Sequence, residues 1–157
     1  MRRSDREIKD FEQIVEVMEN CDVCRLALND EEGYPYILPL NFGMEREGER
    51  VTLYFHGATA GKKYELIQKD NRASFEMDRG HRLVTDSEEM TCTMAYESVI
   101  GRGRIEILPE EEKEKALFLL MKHYHKEDFA FKKEVMSFTA VMKLVVESMT
   151  GKIRRKG

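Results

Sequence analysis

The chain has 157 residues, 41% of them hydrophobic and 36% charged, and a net charge of -4 at pH 7. That length suits one domain spanning 1–157, and the composition excludes a disordered chain. The acidic balance argues against nucleic acid as a partner, so an anionic ligand would have to be held by local cations.

The N-terminal run Met1 to Glu7 lacks the apolar core of a signal peptide. No stretch reaches the roughly 20 apolar residues of a membrane-spanning helix. The expected location is therefore the cytoplasm, with no membrane partner. Ser4 to Asn20 predicts a helix, with Ser4 and Glu7 as a capping box and Ile8, Phe11, Ile14, Val15 and Met18 as its apolar stripe. Cys21 and Cys24 form a lone Cys-x-x-Cys; with Cys92 as the only other thiol, neither a zinc site nor a disulfide framework is expected.

From Val23 the apolar period becomes two, and Cys24, Leu26 and Leu28 read as the inward face of a strand. Asp30 to Gly33 reads as a turn. Tyr34 to Met44 reads as one run, with Tyr36, Leu38, Leu40 and Phe42 on one face. Pro35 and Pro39 make it an edge or irregular strand. Irregularity leaves backbone N–H and C=O groups free of the ladder to hydrogen-bond the edge of a planar ring; the alternative is simply a protected edge strand. Glu45 to Arg50 is a hairpin turn, after which Val51, Leu53 and Phe55 face inward and Thr52, Tyr54 and His56 face the other way.

Leu53 to Lys63 then passes from apolar strand through Gly57-Ala58-Thr59-Ala60-Gly61 to Lys62 and Lys63 at the start of a helix. Small residues let backbone approach a ligand, and a helix start offers unpaired N–H groups to an anion. The spacing is not that of a Walker A loop, so a phosphate monoester fits better than a nucleoside triphosphate. An ordinary strand-to-helix connection with solvated lysines stands as the alternative.

Lys62 to Asp70 predicts a short helix, Asn71 to Asp78 a strand, and Arg79 to Met90 a mobile surface loop. Thr91 to Leu108 is a long β run, with a bulge or bend expected at Gly101-Arg102-Gly103. Pro109 followed by three glutamates opens a helix to Tyr124, with Ala116, Leu117, Leu120, Met121 and Tyr124 as its buried stripe. His123 and His125 point to different sides, which excludes a shared metal; these residues, His81 and Cys92 receive no role. Phe138 to Glu147 is apolar on both faces, as expected if one face packs in the barrel and the other on a second subunit. Arg154-Arg155-Lys156 reads as a solvated basic tail. The elements together predict a mainly β fold with flanking helices, a six-stranded antiparallel split β-barrel.

Four ordered segments carry a family resemblance. They are Tyr36 to Gly43, Tyr54 to Ala58 with Gly61 and Lys63, Tyr96 to Arg104 with Glu111-Glu112-Lys113, and Met149 to Lys152. The chain resembles the pyridoxamine 5′-phosphate oxidase-like split-barrel flavoproteins, most closely their 5-nitroimidazole reductase branch. The resemblance implies FMN bound between the subunits of a homodimer. It implies that Pro39, Leu40, Asn41 and Phe42 line the isoalloxazine with backbone groups. His56, Gly57 and Ala58 would run along the flavin, Gly61, Lys62 and Lys63 would hold the phosphate, and Ser98 and Val99 would also lie at the cofactor. It further implies reduction of a small nitro-aromatic acceptor with NAD(P)H-derived electrons. His56 and Tyr96 would face the acceptor, with no side chain acting as nucleophile and no metal. Two alternatives stay open: a non-catalytic flavin or haem carrier, and pyridoxamine phosphate oxidase-like activity.

Overall fold

The computed structural model describes residues 3–125 and 133–154. Its centre is one antiparallel sheet of eight strands, which is not closed into a full cylinder. The strands are β1 (Glu7–Ile8), β2 (Cys24–Asn29), β3 (Pro35–Leu40), β4 (Phe42–Glu47), β5 (Arg50–Ala58), β6 (Arg72–Asp86), β7 (Thr91–Ile107) and β8 (Thr139–Arg154). The helices are α1 (Phe11–Glu19), α2 (Lys62–Lys69), α3 (Glu110–Tyr124) and α4 (Lys133–Ser137). Strand order is β3-β2-β6-β7-β8-β5-β4, with β1 added on β8. The mainly β, antiparallel expectation stands. Two further strands arise because β1 forms inside the expected first helix and because the Tyr34 to Met44 run splits in two.

The first helix does not start at Ser4. Ser4–Arg6 is a short 3-10 turn, and Glu7 and Ile8 pair with Lys152 and Gly151. Helix α1 begins at Phe11, capped by the Asp10 carboxylate accepting from the Glu12 N–H at 3.1 Å. Pairing with β8 and burial of Ile8 override the local capping-box pattern. The α1 stripe Ile14, Val15, Val17 and Met18 is buried in the main core with Leu26, Leu28, Phe42, Leu53, Phe55 and Phe75.

The run from Tyr34 breaks at Asn41. β3 pairs with β2 and forms one edge of the sheet, whereas β4 pairs with β5 and forms the other. The prolines thus sit on an edge, where their missing N–H groups cost no ladder bond. The expected loop at Arg79 to Met90 is instead mostly strand. Beyond a register shift between Arg79 and Arg82, β6 and β7 pair with each other as far as Asp86 and Thr91. The charged residues lie on this two-stranded arm, where period-two apolar patterning is absent because no core covers it.

β8 is apolar on both faces, but part of the second face is covered from within the chain. Met142 and Leu144 enter the main core, while Val141 packs with Tyr54, Leu108, Ala116 and Leu117 beneath α3. The same helix buries the Thr52–Tyr54 face of β5, and Tyr54 donates to Glu45 at 2.8 Å. Within the chain α3 therefore covers the Val141 end of that face, while Lys143 and Val145 further along it are half-buried. In the expected stripe of α3, Ala116, Leu117 and Leu120 are buried, Met121 is half-buried, and Tyr124 is exposed. Of the basic tail, Arg154 ends β8, and Arg155 and Lys156 lie outside the described residues.

Candidate functional site

The site grows from the end of β5. β4 pairs with β5 only from Arg50 to Phe55. His56, Gly57 and Ala58 remain paired to β8 on their other side, through Val141, Ala140 and Thr139. Their β4-side edge therefore has no strand partner, and the Ala58 carbonyl accepts from the Tyr64 hydroxyl instead, at 2.5 Å. The Phe42–Phe55 register places Asn41 beside His56.

These two residues line a cleft of about 460 Å³ roofed by Leu117, Leu120, Met121 and Tyr124 of α3. Its described lining carries no Asp, Glu, Lys or Arg. Gly43 makes the roof possible, because a Cβ there would lie 2.5 Å from the Leu120 backbone nitrogen. The His56 Nδ1 is buried without a hydrogen-bond partner. Burial lowers its pKa from the ordinary value, so His56 is neutral at pH 7 and offers one donor and one acceptor.

The small-residue turn follows. Gly61 caps α2 at φ +142°, a backbone region that L side chains rarely adopt, and gives no side-chain cap to the helix. The Tyr64 N–H donates to the Gly61 carbonyl at 3.1 Å, and the N–H groups of Lys62 and Lys63 before it have no side-chain cap. A Cβ on Gly57 would come 3.3 Å from the Lys63 Nζ and from the Tyr64 hydroxyl oxygen, and one on Gly61 would come 3.5 Å from the same Nζ. Lys63 rests over the Tyr64 ring at 4.4 Å and makes no ion pair among the described residues. Gly57, Gly61, the helix start and Lys63 therefore form one cationic cradle.

Lys62 does not belong to this cradle as the sequence expectation had it. Its Nζ lies 2.5 Å from the Asp30 carboxylate and over the Tyr36 ring, and that pairing raises its pKa. Successive helical residues point about 100° apart, so one lysine faces the turn and its neighbour faces the β2–β3 connection.

The other expected site residues divide. Pro39 is exposed and Leu40 half-buried at the end of β3. Phe42 is fully buried, and its N–H already donates to the Tyr124 hydroxyl at 3.1 Å, so it has no free donor for a ring. Tyr96, Ser98 and Val99 pair with Arg154, Lys152 and Gly151, whereas Gly57 and Ala58 pair with Ala140 and Thr139. They sit at opposite ends of β8, and one chain does not bring them together. The Val99 side chain lies in the core at 0% exposure.

Residues missed from the sequence are Asp30, Tyr64 and Tyr124, which hold Lys62, Ala58 and the Asn41 corner. All three act through long-range contacts that leave no local pattern. Cys21 and Cys24 are buried, and burial pushes the Cys21 thiol up to about 11 and raises that of Cys24 as well, so neither is a reactive thiolate. Among the described residues, no three His, Cys, Asp or Glu side chains could hold a metal ion, and no helix is long and apolar enough to cross a membrane.

Known structures share this framework. A candidate 5-nitroimidazole antibiotic resistance protein from Bacteroides thetaiotaomicron is 34% identical over 94% of this chain and 86% of its own, with a TM-score of 0.82. An FAD- and haem-binding protein from Mycobacterium smegmatis is 17% identical over 96% of this chain and 74% of its own, with a TM-score of 0.74. An FAD-binding protein from Mesorhizobium loti is 22% identical over 96% of this chain and 98% of its own, with a TM-score of 0.67. At those two lower identities the likeness is one of fold alone. No curated protein matches the chain. Residues 10–153, which include both the cleft and the cradle, match the pyridoxamine 5′-phosphate oxidase family, and the chain belongs to that family.

Proposed function

We propose that the protein is an FMN-dependent oxidoreductase that reduces nitro-aromatic, nitroimidazole-like or related small acceptors with electrons from NAD(P)H. The observation that carries this reading is the open edge of His56–Ala58, with an uncharged cleft at one end and the Lys63 cradle at the other. A planar uncharged ring joined to a phosphate monoester matches those two environments in order. The 34% identical B. thetaiotaomicron protein supports the acceptor class.

In this reading Asn41, His56 and the open edge hold the ring rim, and Lys63 with the α2 N-terminus holds the phosphate. FMN, when bound, supplies transfer of a hydride or electrons to an acceptor stacked on its face. The α3 roof limits water, and neutral His56 hydrogen-bonds the acceptor without adding charge. Reduction of a nitro group to nitroso and water takes two electrons and two protons: the hydride of NAD(P)H, which leaves as NAD(P)⁺, accounts for both electrons and one proton, and solvent supplies the other proton.

The test is the visible spectrum of the purified protein, followed by anaerobic NAD(P)H and then a nitroaromatic. Two flavin bands that bleach and recover are expected. Bands that bleach but do not recover would leave a flavin carrier. A second reading, haem binding at the unpartnered His56 nitrogen, is favoured by that orphan atom. A Soret band would establish it and overturn the first.

The holoprotein is expected to be a homodimer, packed through the outer face of the sheet rather than through β8 beneath α3. Paired rows place Pro39, Ile37, Ile100 and Ser98 on that one face. Ile37 and Ile100 are 61% and 56% exposed there. A second copy on this face would supply the Ser98 and Tyr96 that one chain holds away from its own cleft. Sedimentation of the flavin-loaded protein at micromolar concentration checks this, and a monomer would refute it.

A further inference from the structure

We infer that Tyr124, with His123 beside it, is a positioning residue that fixes the Asn41 corner of the ring site. This rests on the flavin reading above. The chain crosses from one edge of the sheet to the other at Asn41 alone: the β2–β3 ladder ends at Leu40 and the β4–β5 ladder begins at Phe42. A bend without a ladder partner is free to move unless something else holds it.

The last turn of α3 is what holds it. The Tyr124 hydroxyl accepts from the Phe42 N–H at 3.1 Å and donates to the Asp22 carbonyl at 2.7 Å. The Asn41 side-chain amide reaches the same carbonyl at 3.5 Å. The His123 Nε2 lies 2.7 Å from the Cys21 carbonyl, which requires its proton on that nitrogen, and its ring packs on Phe42 with centroids 4.2 Å apart. Two adjacent side chains thus join the Cys21–Asp22 loop to the corner, while the Tyr124 ring itself lines the cleft. The other end of α3 is anchored separately, by Lys115 on Glu45 at 2.7 Å. Losing the Tyr124 hydroxyl therefore loosens the corner without freeing the whole helix.

The experiment uses the full chain stripped of cofactor and titrated with FMN and riboflavin. Tyr124→Phe is expected to weaken both flavins by the same factor, about 3- to 10-fold, the range of one or two ordinary hydrogen bonds. The visible circular dichroism of bound flavin should change with it. Tyr54→Phe, which loses a hydroxyl bond to Glu45 under the same helix, should lower only the melting temperature. Tyr124→Phe that lowers the melting temperature but leaves both affinities and the flavin signal intact overturns the inference. Wild-type protein that binds neither flavin overturns the flavin reading and the inference with it. If Tyr124→Phe does not fold, His123→Leu keeps the apolar contact with Phe42 and should shift both flavins the same way, less strongly. His123→Gln, which can still donate to Cys21, should restore them; no shift in His123→Leu would overturn the inference.

Discussion

Lys63→Ala is expected to weaken FMN roughly 10- to 200-fold while riboflavin affinity barely changes, since a bond to a charged partner contributes about 1.5–3 kcal/mol and each 1.4 kcal/mol is tenfold. The two ligands differ only in the phosphate, so the difference isolates the cradle. Lys63 lies against Gly57 and Gly61 at an uncapped helix start, and among the described residues no carboxylate competes for it. Lys62 is already paired with Asp30, so Lys62→Ala should lose less. Titration of cofactor-free protein with both flavins reads all of this. Equal losses for FMN and riboflavin in Lys63→Ala would mean that the lysine supports the ring or the fold, and the cradle would lose its assigned ligand.

Gly103→Ala should be the most damaging single methyl in the sheet. The added Cβ would lie 1.9 Å from the Val145 carbonyl oxygen and 2.9 Å from its carbon. Both are backbone atoms, so no rotamer change relieves the contact. The register between β7 and β8 shifts at this point: Arg102 faces Ser148 and Gly103 faces Val146, leaving Glu147 as the extra residue on β8. The expected bulge is thus at the right place but on the partner strand, and the glycine is the flat surface that β8 presses against. Overpacking of this kind costs about 3 kcal/mol. In a domain of this size that lowers the melting temperature by about 6–12 °C. An unchanged melting temperature would show that β8 does not approach Gly103 this closely.

Local pattern was a reliable guide wherever a side chain's environment follows from its neighbours in sequence. Period-two alternation identified Cys24, Leu26 and Leu28 as core, and all three are buried. Pro109 and the acidic first turn marked the start of α3, Gly33 and Gly48 marked hairpin turns, and the Gly57 to Lys63 stretch was readable as a strand, a tight turn and a helix start. Those features depend on backbone sterics and on which face is apolar, both of which act over a few residues.

Only the tertiary structure decided what meets each face. Ile8 became a strand residue because β8 offered it a ladder, and Val141 on the second face of β8 packs beneath α3. Lys62 and Lys63 are neighbours of identical chemistry, yet Asp30, on a distant turn, takes one and leaves the other at the cradle. Ser98 and His56 belong to motifs that read as one site, but β8 holds them at its two ends. Tyr124 reads as one more apolar position on a helix, yet its hydroxyl sits between the Asp22 carbonyl and the Phe42 N–H. In each case the deciding contact joins residues far apart in the chain, where periodicity carries no information and packing and charge pairing choose the partner.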